Sequence, residues 1–194
     1  FPRFNATNAL LAEDQDFASL VLLACHDLRT PLATVHGFAH TLVRSDALDE
    51  TSARYVGMIG TASEQIAELI DQLSVASRLE AGRYDPPLRE VDTLELARTA
   101  AEGLGEERVA ISGEGAQLET DPEAVGRAVC ALARCLLRHG GLERVELAVQ
   151  GTALALAPVT PASAPVVLGD DLRDLGAAVA VRVLRGRGGS VELD

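Results

Sequence analysis

The sequence predicts an α+β protein in which a long antiparallel helical hairpin precedes a small two-layer α/β sandwich. Two observations support this. Apolar residues repeat with heptad spacing through residues 1–83, and after them short strand candidates alternate with helix candidates. Asp85-Pro86-Pro87 lies at the change of pattern and is typical of a linker. We therefore expect one domain at 1–85 and a second at 86–194.

The first helix is predicted from apolar and small residues whose spacing alternates between four and three. These residues are Phe17, Val21, Ala24, Leu28, Pro31, Val35, Phe38 and Leu42. Alternating spacings of this kind form the a/d seam of packed helices. Leu20 and Leu32 widen the stripe, as a bundle requires and a two-stranded coil does not.

The second helix carries its own heptad-like stripe. Its members are Val56, Ile59, Ile66, Ile70 and Leu73. Residues 45–49 form a plausible turn, Asp49 or Thr51 is a candidate N-cap, and Gly82 follows the expected end near Ala81. A lone hairpin leaves much of this apolar surface in water. A homodimer would bury it as a four-helix bundle.

The second domain is predicted as a mixture of helices and strands. Helices are expected at 91–104, from the Asp121-Pro122-Glu123 cap to Gly140-Gly141, and at 172–185. Strands are expected at 108–112, 143–150, 152–157 and 190–193, with a loop at 158–165.

Composition limits the classes of partner. The net charge of −12 disfavours direct binding of nucleic acid or of an anionic membrane. No apolar run reaches the roughly 18–20 residues that span a bilayer, and no secretory signal is recognisable. The chain begins with Phe rather than Met, which suggests a fragment or a processed protein. Three cysteines without a framework spacing indicate a reducing, cytoplasmic location.

The segment 25–32, CHDLRTPL, carries the candidate chemistry. In the heptad frame His26 falls at the outermost position, f, where its ring is solvated and can act as a nucleophile. Asp27 can orient the ring or accept its proton, and Thr30 shares its face one turn on. Pro31 lies mid-helix, where it removes a hydrogen bond and bends the axis. An exposed histidine beside a tolerated kink is the alternative interpretation of the residues alone.

The whole string HDLRTPL resembles the H box of sensor histidine kinases. The likeness extends over HDLRTPLATVHGFAHTL and over IAELIDQLSVASRLEAGRY, which resemble the two helices of their dimerisation and histidine-phosphotransfer domain. This resemblance implies that His26 is the phosphoacceptor, that Asp27 assists proton transfer, and that Thr30 can position water for dephosphorylation. It also implies a response-regulator receiver domain as the partner, which supplies its own Mg²⁺.

The remaining histidines and cysteines are expected to be structural. His36 and His40 lie four apart, but no third ligand is evident, so a solvated helix face is favoured over a metal site. Cys130 and Cys135 lie in an apolar helical stretch, which favours buried thiols. His139 closes a helix and fits charge complementarity with its C-terminus.

The second domain resembles the kinase ATP-binding domain in outline and departs from it in its contact residues. The helix from Asp121 aligns with the N-box helix, but Ala131 and Cys135 stand where two asparagines would hold Mg²⁺ and phosphate. Residues 156–161 (LAPVTP) lack the Asp-x-Gly-x-Gly pattern, and the long lid over the phosphates is expected to be absent. Residues 175–179 and 188–192 resemble the closing helix and strand. We therefore expect a degenerate domain with no cofactor of its own.

Three hypotheses follow. The first is a dimeric histidine phosphotransferase that exchanges phosphoryl groups between His26 and receiver aspartates without ATP. The second is a divergent active kinase that autophosphorylates on His26, and it predicts measurable Mg·ATP binding. The third is a non-enzymatic pseudokinase scaffold, which would have no use for an exposed His beside an acid.

Overall fold

The computed structural model describes residues 6–45, 48–85, 87–105, 107–186 and 188–193, with side chains described from residue 17 onward. The chain divides into two compact units, Phe1–Tyr84 and Asp85–Asp194. Each unit is described separately.

The first unit is an antiparallel hairpin of two long helices, α1 (Ala6–Val43) and α2 (Glu50–Glu80). The predicted N-cap is confirmed, because Asp49 Oδ1 accepts hydrogen bonds from the backbone N–H groups of residues 51 and 52, both at 3.0 Å. The predicted stop is confirmed by Gly82, whose positive φ of 64° suits the residue after a helix. Residues 46 and 47 of the predicted turn lie outside the described residues.

Small residues form the contact between the two helices. The buried positions are Ala18, Cys25 and Ala39 on α1, and Ser63, Ile70, Ser74 and Ser77 on α2. The α1 positions are separated by multiples of seven, so they form a stripe of their own beside the predicted seam. The seam itself is exposed in the single chain, with Leu28 at 53% and Phe38 at 67%. The hairpin therefore closes mainly on small side chains, with Ile70 buried among them, and leaves most of its large apolar side chains exposed.

The second unit contains five strands and four helices among its described residues. In chain order they are β1 (Arg89–Asp92), α3 (Thr93–Glu102), β2 (Val109–Gly115), β3 (Gln117–Thr120), α4 (Pro122–Gly140), β4 (Val145–Gly151), β5 (Ala153–Ala157), α5 (Ala164–Val167) and α6 (Leu175–Arg185). A three-stranded sheet has the order β2-β4-β5, in which β2 and β4 are parallel and β4 and β5 antiparallel. Strands β1 and β3 form a separate antiparallel pair.

The core of this unit lies between the three-stranded sheet and the helices α3, α4 and α6. Its largest fully buried side chains include Leu96, Leu136, Leu147 and Val145. The predicted caps of α4 are confirmed. Asp121 accepts from the N–H groups of residues 123 and 124, and Gly141 ends the helix with φ 64°.

The strand expected at 190–193 is wrong, because this segment joins neither sheet. A strand exists only with a hydrogen-bonding partner, and a four-residue alternation does not specify one. The pair β1/β3 and the short helix α5 were not predicted. The pair has only two inward apolar residues, Val91 and Leu118, and its partners are brought together by the fold. Helix α3 begins later than expected because Asp92 caps it, accepting from Leu94 N–H at 2.7 Å.

Within the described part of the chain, no helix combines the length and the apolar character needed to cross a bilayer.

Candidate functional site

The candidate site on the hairpin centres on an exposed imidazole. The His26 side chain is 78% exposed on α1, as its heptad position predicted, and its Nδ1 lies 3.1 Å from Asp27 Oδ1. When Nδ1 carries the proton, its N–H donates to this carboxylate and the ring lone pair falls on Nε2. The geometry therefore presents Nε2 to solvent as a nucleophile with an adjacent proton acceptor.

Thr30 and Pro31 lie one turn along α1 from His26. Both are exposed, so the Thr30 hydroxyl is available on the same stretch of helix surface. The helix continues through Pro31, which has no N–H to donate to the Asp27 carbonyl. In the next turn the Thr34 Oγ1 donates to the Thr30 carbonyl at 3.1 Å, a bond of the kind that often accompanies a bend in a helix.

Sequence reasoning missed a tie between the two helices beside His26. The Arg29 guanidinium donates to Asp71 Oδ1 on α2, at 2.7 Å from Nη2 and 3.2 Å from Nε. Both side chains are largely exposed, so the pair adds only about 0.2–1 kcal/mol. It connects the helix segment next to His26 with α2. No local pattern could have revealed it, since the partners lie 42 residues apart.

His36 departs from the predicted solvated face. It is half-buried, and its Nδ1 is enclosed without a hydrogen-bond partner among the described residues. His36 is half-buried because it lies on the same side of α1 as the buried residues Ala18 and Cys25. His40 remains exposed, and the two rings stack with centroids 6.3 Å apart.

In the second unit, Ala131 and Cys135 stand where the resembled kinases have two asparagines, and both pack against other side chains. Cys135 is 0% exposed and Ala131 packs against the core. Burial raises the pKa of the Cys135 thiol to about 11, and the negative charge of Asp174 adds to the rise. The segment after β5 contributes Val166 and Val167 of α5 to the same core. An uncharged thiol and a methyl group offer no hard oxygen ligand at these positions.

The fold brings a further set of ligating side chains to the C-terminal end of α4. Ligand atoms of Cys135, His139 and Asp174 lie within 4.8 Å of one another. His139 Nε2 is 3.2 Å from Asp174 Oδ2, and Arg138 Nη1 is 3.3 Å from the same oxygen. Sequence reasoning missed Asp174, because its place beside α4 depends on the packing of α6.

Comparison with known proteins identifies the hairpin. The His Kinase A (phospho-acceptor) domain matches residues 20–82. A probable sensor histidine kinase, TcrY of Mycobacterium tuberculosis, is 29% identical over 120 residues, which are 62% of this chain and 24% of that protein. The sensor protein DivL of Caulobacter vibrioides is 29% identical over 77 residues, 40% of this chain and 10% of DivL. The chain thus spans a quarter or less of these relatives.

Solved structures agree on the fold. Full-length ShkA in complex with AMPPNP superposes with a TM-score of 0.67 at 20% identity, covering 88% of this chain and 41% of that one. The histidine kinase AdeS of Acinetobacter baumannii superposes with a TM-score of 0.52 at 14% identity, covering 87% and 90%. Residues 20–82, which include the exposed His26, therefore match the phospho-acceptor domain of histidine kinases in sequence, and the fold of the chain is that of the solved structures.

Proposed function

We propose that the chain is a histidine phosphotransferase that exchanges phosphoryl groups between His26 and aspartates of response-regulator receiver domains, without using ATP. The observation that carries the proposal is a contrast between two sites. His26 and the Asp27 carboxylate are exposed and in contact. Cys135, which stands where the resembled kinases have an asparagine that holds Mg²⁺, is fully buried in the core.

The transfer step follows from the pairing of His26 with Asp27. Nε2 of His26 attacks the phosphorus of an aspartyl phosphate, a P–N bond forms, and the receiver carboxylate leaves as the P–O bond breaks. The ring, with Nδ1 still protonated, gains positive charge. The Asp27 carboxylate at 3.1 Å offsets that charge and can accept the proton. The receiver supplies the Mg²⁺, so this chain needs no metal for the step.

Loss of nucleotide use is supported by the packing around α4. Mg²⁺ needs oxygen ligands in near-octahedral geometry, and Ala131 and Cys135 provide none. Helix α5 brings Val166, which is 0% exposed, to the region where the resemblance places the nucleotide loop and lid. Several charged or metal-bridged contacts, each worth about 1.5–3 kcal/mol, would be lost together. Their sum exceeds the binding free energy that separates a nucleotide bound with micromolar affinity from one bound with millimolar affinity.

The proposal includes a homodimer and a cytoplasmic location. The exposed apolar stripe on α1 and α2 supports a four-helix bundle, since an isolated hairpin would leave groups such as Phe38 and Ile66 in water. The three thiols are not joined in disulfides, which fits a reducing compartment. Thr30 would position water when a phosphorylated receiver is bound, giving the same site a phosphatase role.

A divergent active kinase is the second candidate. It is favoured by the fold shared with ShkA, whose structure contains the nucleotide analogue AMPPNP. The same purified chain distinguishes the two candidates when it is offered two labelled donors in parallel. One donor is Mg·ATP, and the other is a receiver domain phosphorylated by labelled acetyl phosphate.

The experiment includes His26→Gln and, as a matched control, His40→Gln, which removes an exposed histidine from the same helix. We expect label from the receiver on the wild type and on His40→Gln, none on His26→Gln, and none from Mg·ATP on any of them. Label from Mg·ATP that depends on His26 would establish the divergent kinase instead. Absence of label from every receiver in a broad panel would leave the scaffold hypothesis.

A further inference from the structure

The C-terminal end of α4 carries a side-chain cluster that takes no part in the phosphotransfer step at His26. We propose that Cys135 Sγ, His139 Nε2 and Asp174 Oδ2 bind a divalent transition-metal ion of the zinc class. These ligand atoms already lie within 4.8 Å of one another. The inference is independent of the chemistry at His26, because it concerns the stability and ligand content of the second unit.

The backbone holds the three ligands in a suitable arrangement. Cys135 and His139 are one turn apart on α4, the i, i+4 spacing that lets two side chains reach one ion. Asp174 is the N-cap of α6, and its Oδ1 accepts from Ala177 N–H at 3.0 Å. This bond fixes the carboxylate and leaves Oδ2 directed at His139, 3.2 Å away.

The donor set selects the metal. A thiolate, an imidazole and a carboxylate suit Zn²⁺ and related ions, whereas Mg²⁺ and Ca²⁺ require oxygen ligands. Three protein ligands leave a fourth tetrahedral position for water. Tetrahedral zinc places its ligand atoms roughly 3.5 Å apart. The bond between His139 and Asp174 is already near this separation, at 3.2 Å, whereas any pair as far apart as 4.8 Å must move closer by about 1.3 Å when the ion binds. Binding replaces the thiol proton, which is released to solvent, and leaves a thiolate bound to the ion.

A purely ionic role for these residues explains less of the arrangement. The bond between His139 and Asp174, with Arg138 at 3.3 Å, forms an ordinary charge cluster at a helix end. That cluster gives no reason for a fully buried thiol to face the same carboxylate. The Arg138 side chain is 70% exposed, so it can turn to solvent when a cation takes its place.

The test uses the full 194-residue chain, freed of metal with a chelator and kept reduced. Co²⁺ is titrated first, because a cobalt–thiolate bond gives a charge-transfer absorption that reports the sulfur ligand directly. Zn²⁺ is then added to displace it and to measure affinity by competition. Cys135→Ser and His139→Gln remove one ligand each. Cys130→Ser removes a thiol outside the cluster, and a combined His36→Gln, His40→Gln variant removes the histidine pair of α1.

We expect one equivalent of Co²⁺ with a thiolate band in the wild type, in Cys130→Ser and in the double histidine variant. Cys135→Ser should lose the band, and both ligand variants should bind Zn²⁺ at least tenfold more weakly. If circular dichroism shows that Cys135→Ser is unfolded, His139→Gln decides the result. No thiolate band in the wild type, a band that depends on Cys130, or Zn²⁺ affinity that depends only on the α1 histidines would overturn the proposal.

Discussion

The two units treat their apolar side chains in opposite ways. In the helical hairpin, large apolar residues are exposed along both helices, including Leu28 at 53% and Ile66 at 48%. In the α/β unit, helices and sheet enclose a contiguous core in which Leu136 and Leu147 are 0% exposed. The hairpin thus leaves much of its apolar surface exposed in the single chain, whereas the α/β unit encloses a core of its own.

Reactive side chains follow the same division. His26 and Asp27 lie on the hairpin surface, where another protein can reach them. Cys135 is fully buried inside the α/β unit, where a nucleotide could reach it only by displacing packed side chains. The contrast supports the proposal that phosphoryl transfer takes place on the surface of the hairpin.

The largest effect is expected from breaking the proposed dimer with Ile66→Asp. An open apolar groove of about 290 Å³ is lined by Leu28, Pro31, Leu32, Val35, Ile66 and Ile70, and a second hairpin would cover it. A carboxylate placed there twice by symmetry loses apolar burial and must be desolvated, so the dimer should weaken by roughly a hundredfold or more. Sedimentation equilibrium of the wild type and the variant measures this.

Thr61→Asp is the matched control, because it adds the same charge at an exposed position about 140° around α2 from Ile66. It should leave the dimer intact. A wild type that stays monomeric at high concentration, or equal weakening by both variants, would contradict a dimer through this stripe.

The next effect concerns the proton acceptor beside the nucleophile. Asp27→Asn removes the carboxylate that favours the Nδ1–H tautomer and offsets charge on the phosphorylated ring. We expect phosphoryl transfer from a receiver to His26 to slow by about a hundredfold, the usual scale for a positioned acid or base. The measurement is the initial rate of label transfer at saturating receiver.

Asp71→Asn serves as the control for Asp27→Asn, since it neutralises an exposed carboxylate that contacts Arg29 rather than His26. The loss of this surface ion pair should change the rate only slightly. Equal slowing in both variants would show that the hairpin's general charge, rather than the contact with Nδ1, assists the transfer.

A third, smaller effect tests whether the packed core of the α/β unit excludes polar side chains at positions 131 and 135. Cys135→Asn places an amide where the side chain is 0% exposed, and should lower the free energy of unfolding by about 1–3 kcal/mol. Ala131→Asn, at a half-buried position, should cost less. Urea unfolding in the presence of a chelator measures both changes and removes any contribution from bound metal.

The double variant Ala131→Asn, Cys135→Asn should still fail to bind Mg·ATP in calorimetry, because residues 156–161 lack the Asp-x-Gly-x-Gly pattern of the nucleotide loop and these two substitutions do not restore it. If these two substitutions alone restored nucleotide binding, the rest of the nucleotide site would have to be intact, which would favour a kinase site lost recently.

The parts of this fold that could be predicted are those set by local chemistry. Asp49, Asp121 and Gly141 mark helix ends through their own hydrogen bonds or φ values, and the heptad spacing places His26 on the outside. The parts that could not be predicted depend on distant partners. Strand β1 pairs with β3 across α3 and β2, and segment 190–193 alternates like a strand without being paired.

The same limit applies to the candidate sites. The string HDLRTPL contains the candidate nucleophile, carboxylate and hydroxyl within five residues, so their proposed roles could be drawn from the sequence and its resemblance to a known family. The Arg29–Asp71 tie and the Asp174 carboxylate beside Cys135 appear only when helices pack. Residues brought together by packing leave no periodic signal, whereas residues on one turn of one helix do.

The smallest expected effect is a dependence of the stability of the hairpin on pH, which arises from the N-cap Asp49. Hydrogen bonds from Ser52, through its hydroxyl and its backbone N–H, hold the pKa of Asp49 below its ordinary value of 3.8. A carboxyl whose pKa falls on folding contributes stability above its unfolded pKa and loses it as the pH drops through the folded value. The charge of Asp49 should therefore help the hairpin at neutral pH, and this contribution should shrink as the pH falls below 3.8.

Asp49→Asn keeps a side-chain oxygen as cap but cannot titrate. Thermal melts followed by circular dichroism should show the wild-type hairpin slightly more stable than Asp49→Asn at neutral pH, with the gap closing in acid. The difference between the two chains isolates Asp49, because every other carboxyl is common to both. If the stability difference between the two chains stays the same in acid, the ionised carboxylate contributes nothing, and the difference arises from the geometry of the cap. The expected effect is small because Asp49 is exposed and solvent screens its charge.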